Sequence, residues 1–453
     1  MTTRNIPQAI EPDTSELGAT IVADCSQMQL TTTVADAAID RSCGVVVDSN
    51  LKAAILKLAT YCEAHNWSGY DPYDALNSRL LQYLPFLDFR LSRIAATQLL
   101  RRCPFNLRRL LLIPPTQNAK AIALFLSAYL KLETIGLSKQ QDFPGLMMER
   151  LIALRSTDLR YWSWGYSFPW QGRMILVPAR APNLVCTSFV ANSLLDAYEQ
   201  RRDARCLEMA VSAAEYILNE LYWADGNSAA GFSYPTPGLR GETHNANLLA
   251  AALLCRVYKQ TAETKFLDPA LRAASYAATK QQPDGSWYYG EAPSQRWIDN
   301  FHTGYNLCAL QSIGRTLGIT DFESCIHRGL DFYLTHFFRN DGAARYFHDR
   351  TYPIDIHSVA QGIITLAAFK DRDPHNVPLA NRVFRWAMEQ MWDERGFFYY
   401  RVLPHITIRT SYMRWSQAWM LLALSTLVCE SEGSEECRPR PFAADLMPDF
   451  AHD

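Results

Sequence analysis

Long apolar runs are missing from this 453-residue chain: no stretch approaches the roughly 20 residues that a membrane span requires. Charge of one sign is missing too. With 44 Lys and Arg against 46 Asp and Glu, the net charge is −2 and the isoelectric point near 6.6, so no global field draws the chain to nucleic acid or anionic membranes. The 11 cysteines are odd in number, scattered and without a CxxC pair, which argues against a disulfide framework and a cysteine zinc site. Most, such as Cys255, Cys308 and Cys429, fall in apolar helical stretches and read as buried thiols of a reducing compartment. Residues 1–42 show neither the basic n-region nor the apolar h-region of a secretory signal, so a cytoplasmic location is expected. What is present is core material. With 48% hydrophobic and 12% aromatic residues, wholesale disorder is excluded.

Residues 1–45, poor in apolar periodicity, read as a mobile leader, 46–430 as a single catalytic domain, and 431–453 as a tail. Apolar spacing predicts helices over 51–65, 80–100 and 118–132, with Pro114-Pro115 breaking the chain between the last two. From there a repeat is visible. Four helix ends carry Asp225-Gly226, Asp284-Gly285, Asp341-Gly342 and Glu394-Arg395-Gly396, where glycine suits a left-handed C-cap. Aromatics follow each: Phe232 and Tyr234, Trp287 and Tyr288, Tyr346 and Phe347, Phe397 and Phe398. A polar loop then leads into a nearly apolar helix. The openings align as Thr187-Ser188-Phe189, His244-Asn245-Ala246, His302-Thr303-Gly304, His357-Ser358-Val359 and Trp415-Ser416-Gln417, about 57 residues apart. Asn118-Ala119-Lys120-Ala121 supplies a sixth.

Between the openings lie charged, amphipathic helices over 203–221, 266–280, 322–338 and 379–392. A helix apolar all round is buried and one with a charged face is peripheral. Alternation of the two kinds predicts an all-α protein, an (α/α)6 toroid or six-hairpin barrel with an aromatic-rich rim. An open superhelical solenoid is the alternative.

The run Gln282-Pro283-Asp284-Gly285-Ser286-Trp287 resembles the QxxGxW turn of terpene cyclases, which belong to α/α toroids; their acidic DxDD motif has no counterpart here. A wider ensemble, WSGYDPYDALNSR (67–79), WGYSFPWQGR (164–173), WIDNFHTGYNL (297–307), YPIDIHSVAQGI (352–363) and SYMRWSQAW (411–419), resembles a bacterial family within the six-hairpin, glycosidase-like toroids. Members of that family occur in polysaccharide-biosynthesis contexts, which implies a glycan or glycolipid substrate. No cofactor or nucleic-acid partner is implied, and the oligomeric state stays open.

In a toroid the loops before the inner helices share one rim. That places His244, His302 and His357 together with Glu242, Asp299, Tyr352, Asp355, Tyr412 and Arg414. Glycoside hydrolysis needs one carboxyl group as acid and another as base or nucleophile. Asp299 and Asp355 are the expected pair, Glu242 the reserve, and His302 and His357 the groups that orient them. The aspartates could equally be helix N-caps. A uronate lyase or C5-epimerase would instead use Tyr352, His357, Tyr412, Tyr400 and Arg414. An isoprenoid cyclase or prenyltransferase, a zinc site on the three histidines, and a non-catalytic glycan-binding scaffold are further alternatives. Substrate binding is expected of Trp162, Trp164, Tyr166, Trp170, Arg173, His244, Trp287, Tyr289, Trp297, His348, Tyr400 and Trp415, since sugar rings stack on exposed aromatic faces.

Overall fold

The nearly apolar helices that open the repeats close into a ring. The structure is a computed structural model that describes residues 36–84, 86, 88–137, 141–157, 159–172, 175–226 and 229–432. The chain divides into two units, 1–46 and 47–453, and the ring belongs to the second. Helix α1 spans Asp36–Ala64 and starts inside the expected leader; the rest of that leader, and the tail beyond 432, lie outside the described residues. After α1 come α2 (Arg79–Gln82) and α3 (Arg90–Arg102), then six inner helices alternating with outer ones. The inner helices are α4 (Ala119–Thr134), α6 (Leu184–Arg201), α8 (His244–Thr261), α10 (Asn300–Leu317), α12 (Ile356–Ala368) and α14 (Trp419–Glu432). Outer partners are α5 (Phe143–Ala153), α7 (Ala204–Tyr216), α9 (Leu267–Thr279), α11 (Glu323–Phe337) and α13 (Asn376–Met391).

Each inner helix packs on the next, and α14 returns to pack on α4, so the array is a closed toroid and not an open solenoid. Composition explains the division. In α12 eleven of thirteen residues are buried, including Val359, Ile363 and Leu366. In α9 the buried positions are Ala270, Ala273, Ala274 and Ala277, the one-face spacing of a helix that covers a core with its other side in water.

The repeat glycines do adopt left-handed conformations, with φ of +52°, +91°, +95° and +93° at Gly226, Gly285, Gly342 and Gly396. They are not helix C-caps, as the sequence suggests. Each sits several residues past its helix, in a tight turn. Three of these turns pack on an outer helix. A Cβ at Gly285 would collide with the Arg328 carbonyl of α11, and one at Gly342 would lie 2.5 Å from the Arg382 carbonyl of α13. Gly396 meets the Lys57 carbonyl of α1 in the same way, at 2.8 Å, so α1 completes the outer ring. The left-handed caps belong to inner helices: Arg202, Ala262 and Gly318. A second correction concerns 80–100, which is not one helix. It breaks after α2 and resumes at Arg90.

Candidate active site

Lys120, in the first turn of α4, shows where the inner helices converge. Its ammonium group lies 4.0 Å from the ring centroid of Phe189 on α6, 5.2 Å from Trp419 on α14 and 5.8 Å from Tyr305 on α10. Helices from different sides of the ring therefore meet around one buried amine near their N-terminal ends. Burial drives this amine well below the ordinary lysine range, and the Arg414 charge adds to the effect.

Asp299 caps α10. One carboxylate oxygen accepts the His302 backbone N–H at 3.0 Å; the other accepts the Trp297 indole N–H at 2.9 Å and lies 2.7 Å from His302 Nδ1. With Nδ1 turned to a carboxylate, the neutral imidazole keeps its free lone pair on Nε2. The Asp299 side chain is sealed, while that of His302 is 21% accessible. Tyr289 walls the same spot, stacked on Trp297 with centroids 4.5 Å apart and 4.5 Å from the His302 ring.

His357 occupies the corresponding place in the next opening. Its Nε2 lies 2.5 Å from the Tyr305 hydroxyl, and its ring packs against Phe301, Trp415 and Trp419 at 4.7, 4.4 and 4.6 Å. Burial holds His357 well below the usual imidazole range, reinforced by Lys120, Arg414 and His302 nearby. It is therefore neutral near pH 7. Burial also pushes the Tyr305 phenol well up, so its hydroxyl keeps its proton.

Asp355 caps α12 and is saturated. One oxygen accepts the His357 backbone N–H at 3.0 Å and the Trp415 indole N–H at 2.8 Å; the other accepts Arg401 Nε at 2.9 Å and a second guanidinium nitrogen at 2.5 Å. A carboxylate has about four lone-pair sites, and all of them are taken. The antiparallel pairing of Asp355 with Arg401 fixes this contact in the backbone. Arg414 is likewise occupied, donating to both oxygens of Asp71 at 2.6 and 2.9 Å.

The remaining expected residues divide. Trp415 and Tyr166 join the axial cluster, Tyr166 with its ring 5.0 Å from the Arg414 guanidinium. Tyr412 and Tyr400 are buried beside it, centroids 4.9 Å apart, and the Tyr400 hydroxyl accepts from Arg101 at 3.0 Å. Trp164 and Trp287 are core residues whose indole N–H groups donate to the Leu151 and Ala277 carbonyls at 2.8 and 3.1 Å. Trp162 lies under the Arg155 guanidinium at 4.3 Å, and His348 packs on Phe332 of outer helix α11 at 6.0 Å. Trp170 is half-buried in a short strand pair, and Tyr352 is exposed. Glu242 lies near Tyr276 of outer helix α9, and His244 lies 2.7 Å from Glu291. Burial lowers the His244 imidazole, partly offset by Glu291. The three rim histidines thus face three different partners, and among the described residues no group of three or more metal-type ligands gathers. Arg173 lies outside the described residues.

Sequence reasoning missed Lys120, Tyr73, Tyr305, Asp71, Arg101 and Arg401. A lysine in the first turn of an otherwise apolar helix is one available signal, and Tyr305, one turn after His302, is another. Tyr73 packs on Trp415 at 5.5 Å and lies under Arg101 at 5.0 Å, contacts that no local pattern announces.

A closed ring of six inner helices alternating with outer ones is an (α/α)6 toroid, and solved structures of sugar-acting proteins share this fold. A GH76 α-mannanase from Bacteroides thetaiotaomicron superposes with a TM-score of 0.53 at 13% identity, over 69% of this chain and 86% of its own. Cellobiose 2-epimerase from Bacillus thermoamylovorans gives 0.55 at 13%, over 69% and 88%. A possible GH105 member from Salmonella enterica gives 0.51 at 12%, over 69% and 83%. No family model matches the sequence, and no curated protein does. No helix among the described residues is long and apolar enough to cross a membrane.

Proposed function

We propose that the chain is a carbohydrate-active enzyme whose rim at the inner-helix N-termini moves a proton on a sugar of a glycan or glycolipid, in polysaccharide assembly or remodelling. The observation that carries this reading is the Asp299–His302 pair. A sealed carboxylate fixes the imidazole tautomer, and the accessible edge carries the free Nε2 lone pair. His302 takes the proton from a sugar carbon next to a carbonyl or carboxylate group. The C–H electron pair moves into that group, and a proton returned to the opposite face inverts the carbon, as in an epimerase. Departure of a leaving group from the neighbouring carbon instead gives a lyase. The returned proton comes from water; Tyr305, held by neutral His357 and with its ring centroid 6.0 Å from that of His302, lines the same spot. Tyr289 and Trp297 form the wall on which a sugar ring stacks. Neighbours on the same fold named as cellobiose 2-epimerase and sugar epimerase support the reading.

Glycoside hydrolysis by Asp299 and Asp355 is the second reading, favoured by their equivalent N-cap positions in consecutive repeats and by the mannanase neighbour. It requires Asp355 to part from Arg401. Incubating the protein in D2O with a panel of reducing oligosaccharides and uronate polymers separates the two. Deuterium entering a ring carbon, with or without an unsaturated product, supports proton transfer; shortened chains carrying no carbon-bound deuterium support hydrolysis.

A further inference from the structure

The balanced net charge of the chain conceals one segment of the opposite character. Residues 79–113, inserted between α1 and the first inner helix, contain seven arginines and a single acidic residue, Asp88, which Arg93 already pairs at 2.7 Å. Arg79, Arg90, Arg102 and Arg109 are exposed. The same segment holds ten of the fifteen large apolar side chains exposed among the described residues. Tyr83 is 81% accessible, Leu91 69%, Leu99 72%, Phe105 72% and Leu110 73%. Scattered exposed leucines need no explanation, but a cluster of this density does.

Helix α3 carries the pattern within one element. Leu91, Ala95, Leu99 and Arg102 follow one another at intervals of four, four and three, which is one helical face, and all four are exposed. The inward side carries Thr97 and Leu100, both buried. This helix therefore presents apolar side chains to the outside with arginine at the border. An interfacial helix has that arrangement, and a helix ending at water does not. Beside it, Phe105 and Arg109 help wall a groove of about 1320 Å³ that also holds Arg409, Ile406, and Lys57 with its partner Glu394 at 3.9 Å.

We propose that residues 79–113 dock the protein on an anionic lipid bilayer, apolar side chains entering the headgroup region and the exposed arginines meeting lipid phosphates. Charge complementarity selects this occupant: a cluster of arginines with one paired acid suits anionic lipid, and a neutral apolar partner would leave four guanidinium groups unused. The segment lies on the surface and does not span it, since no described helix is long and apolar enough to cross. Its inner side reaches the residues around Trp415, where Arg101 donates to the Tyr400 hydroxyl and lies over Tyr73, which packs on Trp415. Docking would hold that rim close to the bilayer. The proposal does not depend on which reaction the rim performs.

Vesicle sedimentation with the full chain tests it. Phosphatidylcholine vesicles containing phosphatidylglycerol should pellet the protein at low salt, pure phosphatidylcholine should not, and added salt should release it. Replacing Arg90→Gln and Arg109→Gln together should weaken partitioning roughly 30-fold, and Leu91→Ser with Leu99→Ser should weaken it as much or more while the melting temperature stays unchanged. Equal binding to neutral and anionic vesicles, or none to either, would overturn the proposal. So would a dimer that Leu91→Ser and Leu99→Ser convert to monomer, because the patch would then be a contact between two copies.

Discussion

Asp71 and Arg414, 343 positions apart, meet in a buried two-pronged ion pair with contacts of 2.6 and 2.9 Å. The pair ties the segment before the first inner helix to the one before the last, across the seam of the ring. Breaking a buried pair by removing one member costs about 3–5 kcal/mol, because the other charge is left without compensation. Arg414→Met or Asp71→Asn should each lower the melting temperature sharply, and the double variant should lose less than the sum of the two. Thermal denaturation followed by circular dichroism checks this. Additive losses would show that the two side chains act independently.

Acid stability should bear the mark of His357 and His244. Both imidazoles are lowered in the folded state, His357 well below its usual range. Below about pH 6.5 the unfolded chain binds protons that the folded chain refuses. Stability is therefore complete above that value and declines as the pH falls through it. A series of melting temperatures from neutral to mildly acidic pH should fall more steeply for the natural protein than for His357→Gln. Parallel curves would contradict the burial of a neutral imidazole. Asp393, lowered to about 2 by its Arg395 hydrogen bond, contributes in a separate and much more acidic window.

Burying the Lys120 amine among aromatic rings is costly. Three ring faces give it about 0.5–2 kcal/mol each at best, while desolvating an ion costs several, and the amine responds by losing its proton affinity. Lys120→Met should raise stability by about 1–2 kcal/mol and lower turnover. Unfolding in urea and a steady-state assay measure the two effects on one preparation. A destabilised variant with normal turnover would show the amine to be a packing group.

The turn from Gln282 to Tyr289 and the rim from Trp297 to His302 should respond differently to mutation. Gly285→Ala drives a Cβ into a backbone carbonyl at a φ of +91°, which should cost at least about 2 kcal/mol. Trp287→Ala should cost about 3–5 kcal/mol. Neither change should alter kcat of the folded fraction, as active-site titration would reveal.

Much of the architecture is legible because the repeat is periodic. Buried and peripheral helices differ in composition, and the openings at His244, His302 and His357 align without gaps of consequence. Two local readings fail for physical reasons. The glycines of Asp-Gly have the look of helix caps, yet at Gly285 and Gly342 the left-handed φ serves a close approach to the neighbouring outer helix, a contact that no single repeat contains. The 80–100 run looks like one helix because its leucines are dense, but the chain breaks after Gln82 and leaves many of them outside. At the site, Asp299 and Asp355 stand out as carboxylates, and both cap helices. Asp355 is saturated by Arg401 and Trp415, partners 46 and 60 residues away. Asp71 and Tyr73 precede the first inner helix, where the repeat is weakest, so no alignment of openings points to them; Lys120 does lie in the Asn118 opening, but nothing local marks its burial among rings from α6, α10 and α14.

If His302, aligned by Asp299, carries the proton, solvent deuterium should enter the sugar through it. Incorporation at saturating sugar, compared among the natural protein, His302→Gln, Asp299→Asn and Asp355→Asn, reads this out. His302→Gln should lose at least about a hundredfold in incorporation rate. Asp299→Asn should lose less and shift the pH profile, because the imidazole remains but its tautomer is no longer fixed. Incorporation that persists undiminished in His302→Gln would contradict this role for the imidazole, as would cleavage without exchange that disappears with Asp299→Asn and Asp355→Asn.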